Sequence, residues 1–136
     1  MLVGSLCFVI MFRHFCAYTL LISQLHSGLK EVDIEVQRIL EVYAANPYAN
    51  GIYERELIID RDKDRYLLQT LGWEGIRRIY YTVIHVDIRD GKFWIQHDAT
   101  DRGIAMDLIA AGVPKEQIVL AFYPLETRQH CEFAAA

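Results

Sequence analysis

The dipeptide Asp90-Gly91 lies between two runs of residues, 83–89 and 92–98, in which apolar and polar side chains alternate. An Asp-Gly pair in this setting is typical of a two-residue β-turn, because both turn positions need a positive φ angle that these residues tolerate. Such a turn also fixes the register of the strands that it joins. We predict six cross-strand pairs from the turn outwards: Arg89–Lys92, Ile88–Phe93, Asp87–Trp94, Val86–Ile95, His85–Gln96 and Ile84–His97.

This register divides the hairpin into two faces. The first predicted face is apolar and must be covered by another part of the protein; it holds Ile84, Val86, Ile88, Phe93, Ile95 and His97. The second predicted face is polar except for one indole; it holds His85, Asp87, Trp94, Gln96 and Asp98, with Tyr81 on the same side of its strand.

The second face predicts an interaction surface, because exposed Trp and Tyr side chains are enriched at protein interfaces. Its members are Tyr81, His85, Asp87, Trp94 and Gln96. An equally open alternative is that a helix or the C-terminal tail of the same chain covers Trp94.

The rest of the chain predicts an α+β domain. Helical periodicity favours helices at residues 29–45 and 104–111, the second capped by Asp98 or Thr100 and ended by Gly112. Strands are predicted at residues 52–60, 65–71, 77–89, 92–97 and 118–122, with a loop at 72–75. The predicted fold is a mostly antiparallel four- to five-stranded sheet with two helices packed on one face.

Length and composition limit the classes of function. A chain of 136 residues suffices for one domain with a real core. Its net charge is −4, with no strongly basic stretch, whereas a protein that grips DNA alone usually presents a basic face. The three cysteines form no Cys-x-x-Cys pair, which favours a reducing cytoplasm.

The first 26 residues are mostly apolar but are interrupted by Arg13 and His14. A central arginine is costly in a membrane span, and no basic residue precedes it as a signal peptide requires. We therefore expect residues 1–26 to be an extension outside a domain at 27–136, with no membrane role. A membrane anchor is the minority alternative.

Catalytic sites are weaker hypotheses. A metal-dependent enzyme, perhaps a nuclease, would use His85, Asp87 and Asp98. His97 is a further ligand type, but its predicted face is opposite that of His85, and no bulge is indicated that would correct this. We expect no metal, no cofactor and no catalytic residue.

Two other catalytic arrangements are weaker still. One would be a carboxylate cluster of Asp87, Asp90 and Asp98 with Lys92. The backbone conformation of the turn is sufficient to explain an aspartate at position 90, so a catalytic role for it is not needed. Cys131 beside His130 is not a typical nucleophile–base pair, because such pairs usually come together through the fold. No glycine-rich phosphate loop is present in the sequence.

Several blocks of the chain resemble one family. The stretch VIHVDIRDGKFWIQHDATDRGIA at 83–105, AGVPKEQIVLAF at 111–122, and the ending EFAAA are similar to the XisI family. These proteins are fdxN-element excision controlling factors of cyanobacteria, and the similarity runs from about residue 29 to the end. The chain departs from the family pattern at Ala99 and at Tyr123-Pro124-Leu125.

The resemblance implies a small α+β protein that acts with a XisH-like partner in programmed excision of a DNA element, a reaction that a separate site-specific recombinase performs. It supplies no catalytic residue. We therefore expect a cytoplasmic, non-enzymatic accessory factor that contacts DNA only indirectly, with a homo-oligomer left open.

Overall fold

The computed structural model describes residues 33–45 and 52–136. The predicted extension at 1–26, the predicted start of the first helix and its break at Asn46-Pro47 lie outside these ranges. The strands are β1 (Tyr53–Asp60), β2 (Arg65–Glu74), β3 (Arg77–Arg89), β4 (Lys92–Asp98) and β5 (Ile118–Leu120). The helices are α1 (33–45), α2 (Ile104–Ala110) and the one-turn α3 (Leu125–Arg128).

The five strands form one sheet in the order β1-β2-β3-β4-β5. The first three pairings are antiparallel, whereas β5 returns through α2 and a 3₁₀ turn at Lys115–Gln117 to pair parallel to β4. This arrangement confirms the predicted α+β class with a mostly antiparallel sheet.

Helices α1 and α2 lie on one face of the sheet. Arg55 of β1, on that face, donates a hydrogen bond to the carbonyl of Tyr43 in α1. Asp98 of β4 accepts one from the first amide of α2, that of Ile104. The core on this face is formed by apolar residues that are each less than 10% exposed: Val36, Leu40, Tyr66, Leu68, Ile84, Val86, Ile88, Phe93, Ile95, Ile104 and Leu108.

The predicted loop at residues 72–75 is wrong, because β2 continues through Gly72 to Glu74. A Cβ atom at Gly72 would lie 2.6 Å from the carbonyl oxygen of Ile52. Glycine at this position allows two backbones to approach closely inside a sheet and does not mark a turn.

Two β-bulges change which side chains share a face. In the pairing of β2 with β3, Leu68 lies opposite Ile84 and Gln69 opposite Thr82, which leaves Val83 as an extra residue. In the pairing of β3 with β4, Val86 lies opposite Ile95 and His85 opposite His97, which leaves Gln96 as the extra residue. Each bulge reverses the alternation of side chains beyond it.

The six predicted pairs of the hairpin are therefore right for four and wrong for two. The pairs from Arg89–Lys92 to Val86–Ile95 are confirmed. Beyond the bulge, His85 lies opposite His97 rather than Gln96, and Ile84 lies opposite Asp98 rather than His97.

Helix α2 begins and ends close to the predicted positions. The carboxylate of Asp98 accepts hydrogen bonds from the amides of Ile104 (2.7 Å) and Thr100 (2.9 Å). The helix ends before Gly112, which has a φ of 97° and whose following residue, Val113, bonds back to the carbonyl of Leu108. The N-cap residue is Gly103 rather than the predicted Asp98 or Thr100, but the Asp98 carboxylate binds the first amide of the helix from outside it.

Candidate functional site

The face of the sheet turned away from α1 and α2 carries the predicted interaction surface. We call its central part the open face and define it by ten of the side chains on that side of β1 to β4: Ile58, Arg65, Leu67, Gln69, Thr82, His85, Asp87, Arg89, Trp94 and Gln96. One row of cross-strand neighbours on this side passes through all five strands: Asp60, Arg65, Asp87, Trp94 and Val119.

Asp87 is the most buried charged group of the open face, with 3% of its side chain exposed. Arg89 donates to one carboxylate oxygen at 2.5 Å, and Arg65 donates to the other at 2.9 Å. His85 Nε2 and Gln96 Nε2 each lie 3.1 Å from a carboxylate oxygen. Because an unpaired buried charge is very costly, these four partners allow the carboxylate to stay ionised.

The pKa of Asp87 reflects this balance. Burial alone would raise the pKa, but hydrogen bonds from Arg65, Arg89 and His85 outweigh burial and hold the pKa below its usual value of 3.8. The group at the centre of the open face is therefore a carboxylate at neutral pH. Its single negative charge offsets one of the two positive charges of Arg65 and Arg89.

Trp94 is half-buried and lies beside two guanidinium groups. The ring centre is 5.7 Å from Arg89 and 5.6 Å from Arg128 of α3. Arg128 also donates a hydrogen bond of 2.7 Å to the carbonyl of Ala135. The C-terminal segment thus reaches the indole. The alternative that the tail covers Trp94 is therefore correct in part, since Trp94 remains partly exposed.

The structure corrects the position of Tyr81. Tyr81 lies opposite Thr70, which is on the helix-covered face with Tyr66 and Leu68, so the bulge at Val83 moves Tyr81 away from Trp94. The other four predicted members, His85, Asp87, Trp94 and Gln96, do lie together, and three of them are linked through the Asp87 carboxylate.

The metal hypothesis built on His85, Asp87 and Asp98 is not supported by the geometry. The bulge places His97 beside His85, contrary to the prediction, but it also turns Asp98 to the helix-covered face. No group of three or more His, Cys, Asp or Glu side chains within residues 33–45 and 52–136 is arranged to hold a metal ion.

The two weaker catalytic arrangements also do not assemble. Asp90 is an exposed turn residue with a φ of 51°, as its turn role predicts. The Cys131 thiol donates to the carbonyl of Arg128 at 3.1 Å.

Of the helices in the part of the chain that the structure describes, none has both the length and the apolar character needed to cross a membrane.

Comparison with known proteins decides the family. A family model described as XisI protein matches residues 28–135. The chain belongs to the XisI family. No curated protein matches the chain.

Two solved structures are similar to this XisI-family chain. A XisI-like protein from Anabaena variabilis ATCC 29413 is 38% identical, with a TM-score of 0.75, over 79% of this chain and 99% of its own. The fdxN element excision controlling factor XisI from the same organism is 32% identical, with a TM-score of 0.68, over 80% of this chain and 99% of its own.

Three arginines of the site were missed from the sequence. Arg89 is two residues from Asp87 on one strand, so its shared face was visible in the alternation. Arg65 could not be placed without the register of β2 on β3, which the bulge at Val83 sets. Arg128 reaches Trp94 only through the packing of the C-terminal segment, for which the sequence offers no periodic signal.

Proposed function

We propose that this chain is a non-enzymatic, cytoplasmic accessory factor that controls excision of an fdxN-type DNA element by contacting a XisH-like protein and a site-specific recombinase. One observation carries the role: a protein called an fdxN element excision controlling factor is 32% identical over 80% of the chain. The XisH-like partner is the one that the resemblance to the XisI family implies, and we propose the open face as the surface that contacts it.

The open face suits a protein partner. Ile58 is 39% exposed there and Leu67 and Trp94 are half-exposed, with the polar side chains of His85 and Asp87 on the strand between them. Exposed apolar and aromatic side chains beside hydrogen-bonding groups are a usual composition of a protein interface. Trp is also among the residues that most often dominate binding energy.

The same face is poorly suited to DNA. Arg65 and Arg89 both pair with the buried carboxylate of Asp87, which offsets one of their two positive charges, and Asp60 lies opposite Arg65 on β1. Binding to the phosphate backbone depends on uncompensated cations that displace counterions. With a net charge of −4 as well, this chain reaches DNA through its partners.

The contact is tested by calorimetric titration of the full chain with the XisH-like protein of the same organism. Ile58→Glu places a charge on the open face, and Trp94→Ala removes the indole. Each substitution is expected to weaken binding by about 2 kcal/mol, the scale of a residue that dominates an interface. Met106→Glu is the matched control, since Met106 of α2 is 50% exposed on the other side of the sheet.

Two results contradict this assignment. One is a wild-type chain that binds no XisH-like protein, and the other is an equal loss of binding in the Met106→Glu control. The excision role is measured separately with a reporter plasmid that carries an fdxN-type element and its recombinase. Deleting this chain should change excision frequency, and Ile58→Glu should change it in the same direction, whereas Met106→Glu should leave it unchanged.

A further inference from the structure

Strand β3 extends well beyond the strand beside it. Strand β4 pairs with β3 only from Ile84 to Arg89, and the amide of Ala99 then bonds to the carbonyl of Val83 at 2.8 Å. The segment Arg77–Thr82 pairs with β2 on one side. On its other side, no strand of the described ranges runs beside it.

This edge is protected only at its two ends. Proteins block a sheet edge with charge, proline or a β-bulge, because exposed backbone groups otherwise pair with another chain. Arg77 and Arg78 lie at one end and the bulge at Val83 at the other, but residues 79–82 between them include no charge and no proline. The hairpin end also exposes large apolar side chains, with exposed fractions of 56% for Trp73, 100% for Ile76 and 64% for Tyr80. Such a concentration of apolar surface is typical of an interaction site.

We propose that the Arg77–Thr82 edge of β3 pairs antiparallel with the same edge of a second copy of this chain, about a two-fold axis at Ile79. The bulge at Val83 reverses the alternation, so Ile79 and Tyr81, opposite Gly72 and Thr70, turn their backbone groups to β2, whereas Arg78, Tyr80 and Thr82 turn theirs to the free edge. In a symmetric pair centred on Ile79, Arg78 of one copy lies opposite Tyr80 of the other, so these outward-facing backbone donors and acceptors meet.

Side-chain chemistry selects this register. With the axis at Ile79, Arg77 of one copy lies opposite Tyr81 of the other, and Arg78 lies opposite Tyr80. Each guanidinium thus meets an aromatic ring, which is a favourable cross-strand pair, and no like charges meet. An axis at Tyr80 would instead place Arg77 of one copy opposite Val83 of the other, whose carbonyl already bonds to the amide of Ala99.

The geometry of the hairpin supports the same pairing. Arg78 already stacks on Trp73 of its own hairpin, with 5.3 Å between the guanidinium carbon and the ring centre. In the pair, Tyr80 of the second copy extends this row of aromatic and cationic side chains across the axis. The two sheets then form one continuous sheet through β3.

Sedimentation velocity of the full chain tests the dimer, with exposed positions chosen so that folding is preserved. Tyr80→Arg sets two guanidinium groups opposite each other and should raise the dimer Kd by roughly tenfold or more. Tyr80→Phe keeps the ring and should dimerise normally. Adding Arg78→Glu to Tyr80→Arg restores opposite charges and should restore the dimer.

Cross-linking tests the register. In a chain whose three native cysteines are replaced by serine, Ile79→Cys should form a disulfide-linked dimer on oxidation, because that residue meets its own copy. Tyr80→Cys should cross-link less. A wild-type monomer, a dimer indifferent to Tyr80→Arg, or stronger cross-linking at Tyr80 than at Ile79 each overturns the proposal. The XisH-like contact is tested at Ile58 and Trp94, which these variants leave unchanged, so failure here leaves that contact standing.

Discussion

Asp87 and Trp94 lie directly opposite each other on β3 and β4, and a single side chain, Arg89, contacts both. Its guanidinium donates to the Asp87 carboxylate at 2.5 Å and lies 5.7 Å from the centre of the Trp94 ring. The buried charge and the half-buried indole of the open face are therefore joined through one side chain, Arg89.

Removing the charge of Asp87 should destabilise the protein. Asp87→Asn keeps the shape of the side chain but weakens its bonds to Arg65 and Arg89, whose side chains are 39% and 51% exposed and can regain water. We expect a loss of about 1–3 kcal/mol in the free energy of unfolding, measured in urea. Asp90→Asn is the control, because Asn also tolerates the positive φ of that turn position; an equal loss there contradicts the assignment.

The same carboxylate should make stability depend on acid pH. Because the pKa of Asp87 is lower in the folded state than its usual 3.8, the unfolded chain binds the proton more readily. The stabilisation is present above the unfolded pKa and is lost as the pH falls through the folded pKa. Urea unfolding measured at a series of acidic pH values should show a shallower loss for Asp87→Asn than for the wild type. Parallel curves would exclude this role for Asp87.

Tyr43 should give the opposite dependence at alkaline pH. It donates a hydrogen bond of 2.5 Å to Asp107 and so joins α1 to α2. Burial, followed by that hydrogen bond and the charge of Asp107, raises the pKa of Tyr43 to about 12. The stabilisation is complete below the usual pKa of 10.0 and is lost as the pH rises through about 12.

Tyr43→Phe tests this linkage. It should lower the free energy of unfolding by about 1 kcal/mol near neutral pH, the typical value of one hydrogen bond. It should also remove one late-titrating tyrosine from an ultraviolet absorbance titration. Tyr80→Phe serves as the control, since Tyr80 is 64% exposed. The linkage is refuted if the wild type and Tyr43→Phe lose stability in parallel at high pH.

Asp98 should matter for stability through α2. Asp98→Ala removes the acceptor of the Ile104 and Thr100 amides, and we expect a loss of about 1 kcal/mol, the usual cost of losing such a helix-start contact. Thermal unfolding measures this change. Asp101→Ala, at an exposed position in the same loop, should have little effect. If instead Asp98→Ala left stability intact and abolished a metal-dependent activity, the metal hypothesis would regain support.

The sheet and its faces were predictable only as far as simple alternation holds. The turn at Asp90-Gly91 fixed four cross-strand pairs, and the helix stop at Gly112 was visible because glycine there needs a positive φ. The faces of Tyr81 and Asp98 were not predictable, because a bulge adds one residue to a strand and no particular residue type marks its position in the sequence. Both errors have this single cause.

The site was predictable to the same extent. His85, Asp87, Trp94 and Gln96 were found because they lie within one hairpin whose register the turn sets. Arg65 and Arg128 belong to segments distant in sequence, and their approach depends on tertiary packing. The charge balance around Asp87 therefore became visible only in the structure.

The parallel return of β5 has a consequence for the order of folding. Strands β1 to β4 are joined by short turns, so their contacts are local in sequence, whereas β5 reaches β4 only after the whole α2 crossover. Local contacts form quickly, and closing a longer loop costs more chain entropy. We expect the four-strand meander to assemble first, with β5 docking last. The approach of Arg128 to Trp94 then marks the final step of maturation, so an intermediate caught before it presents the indole uncovered.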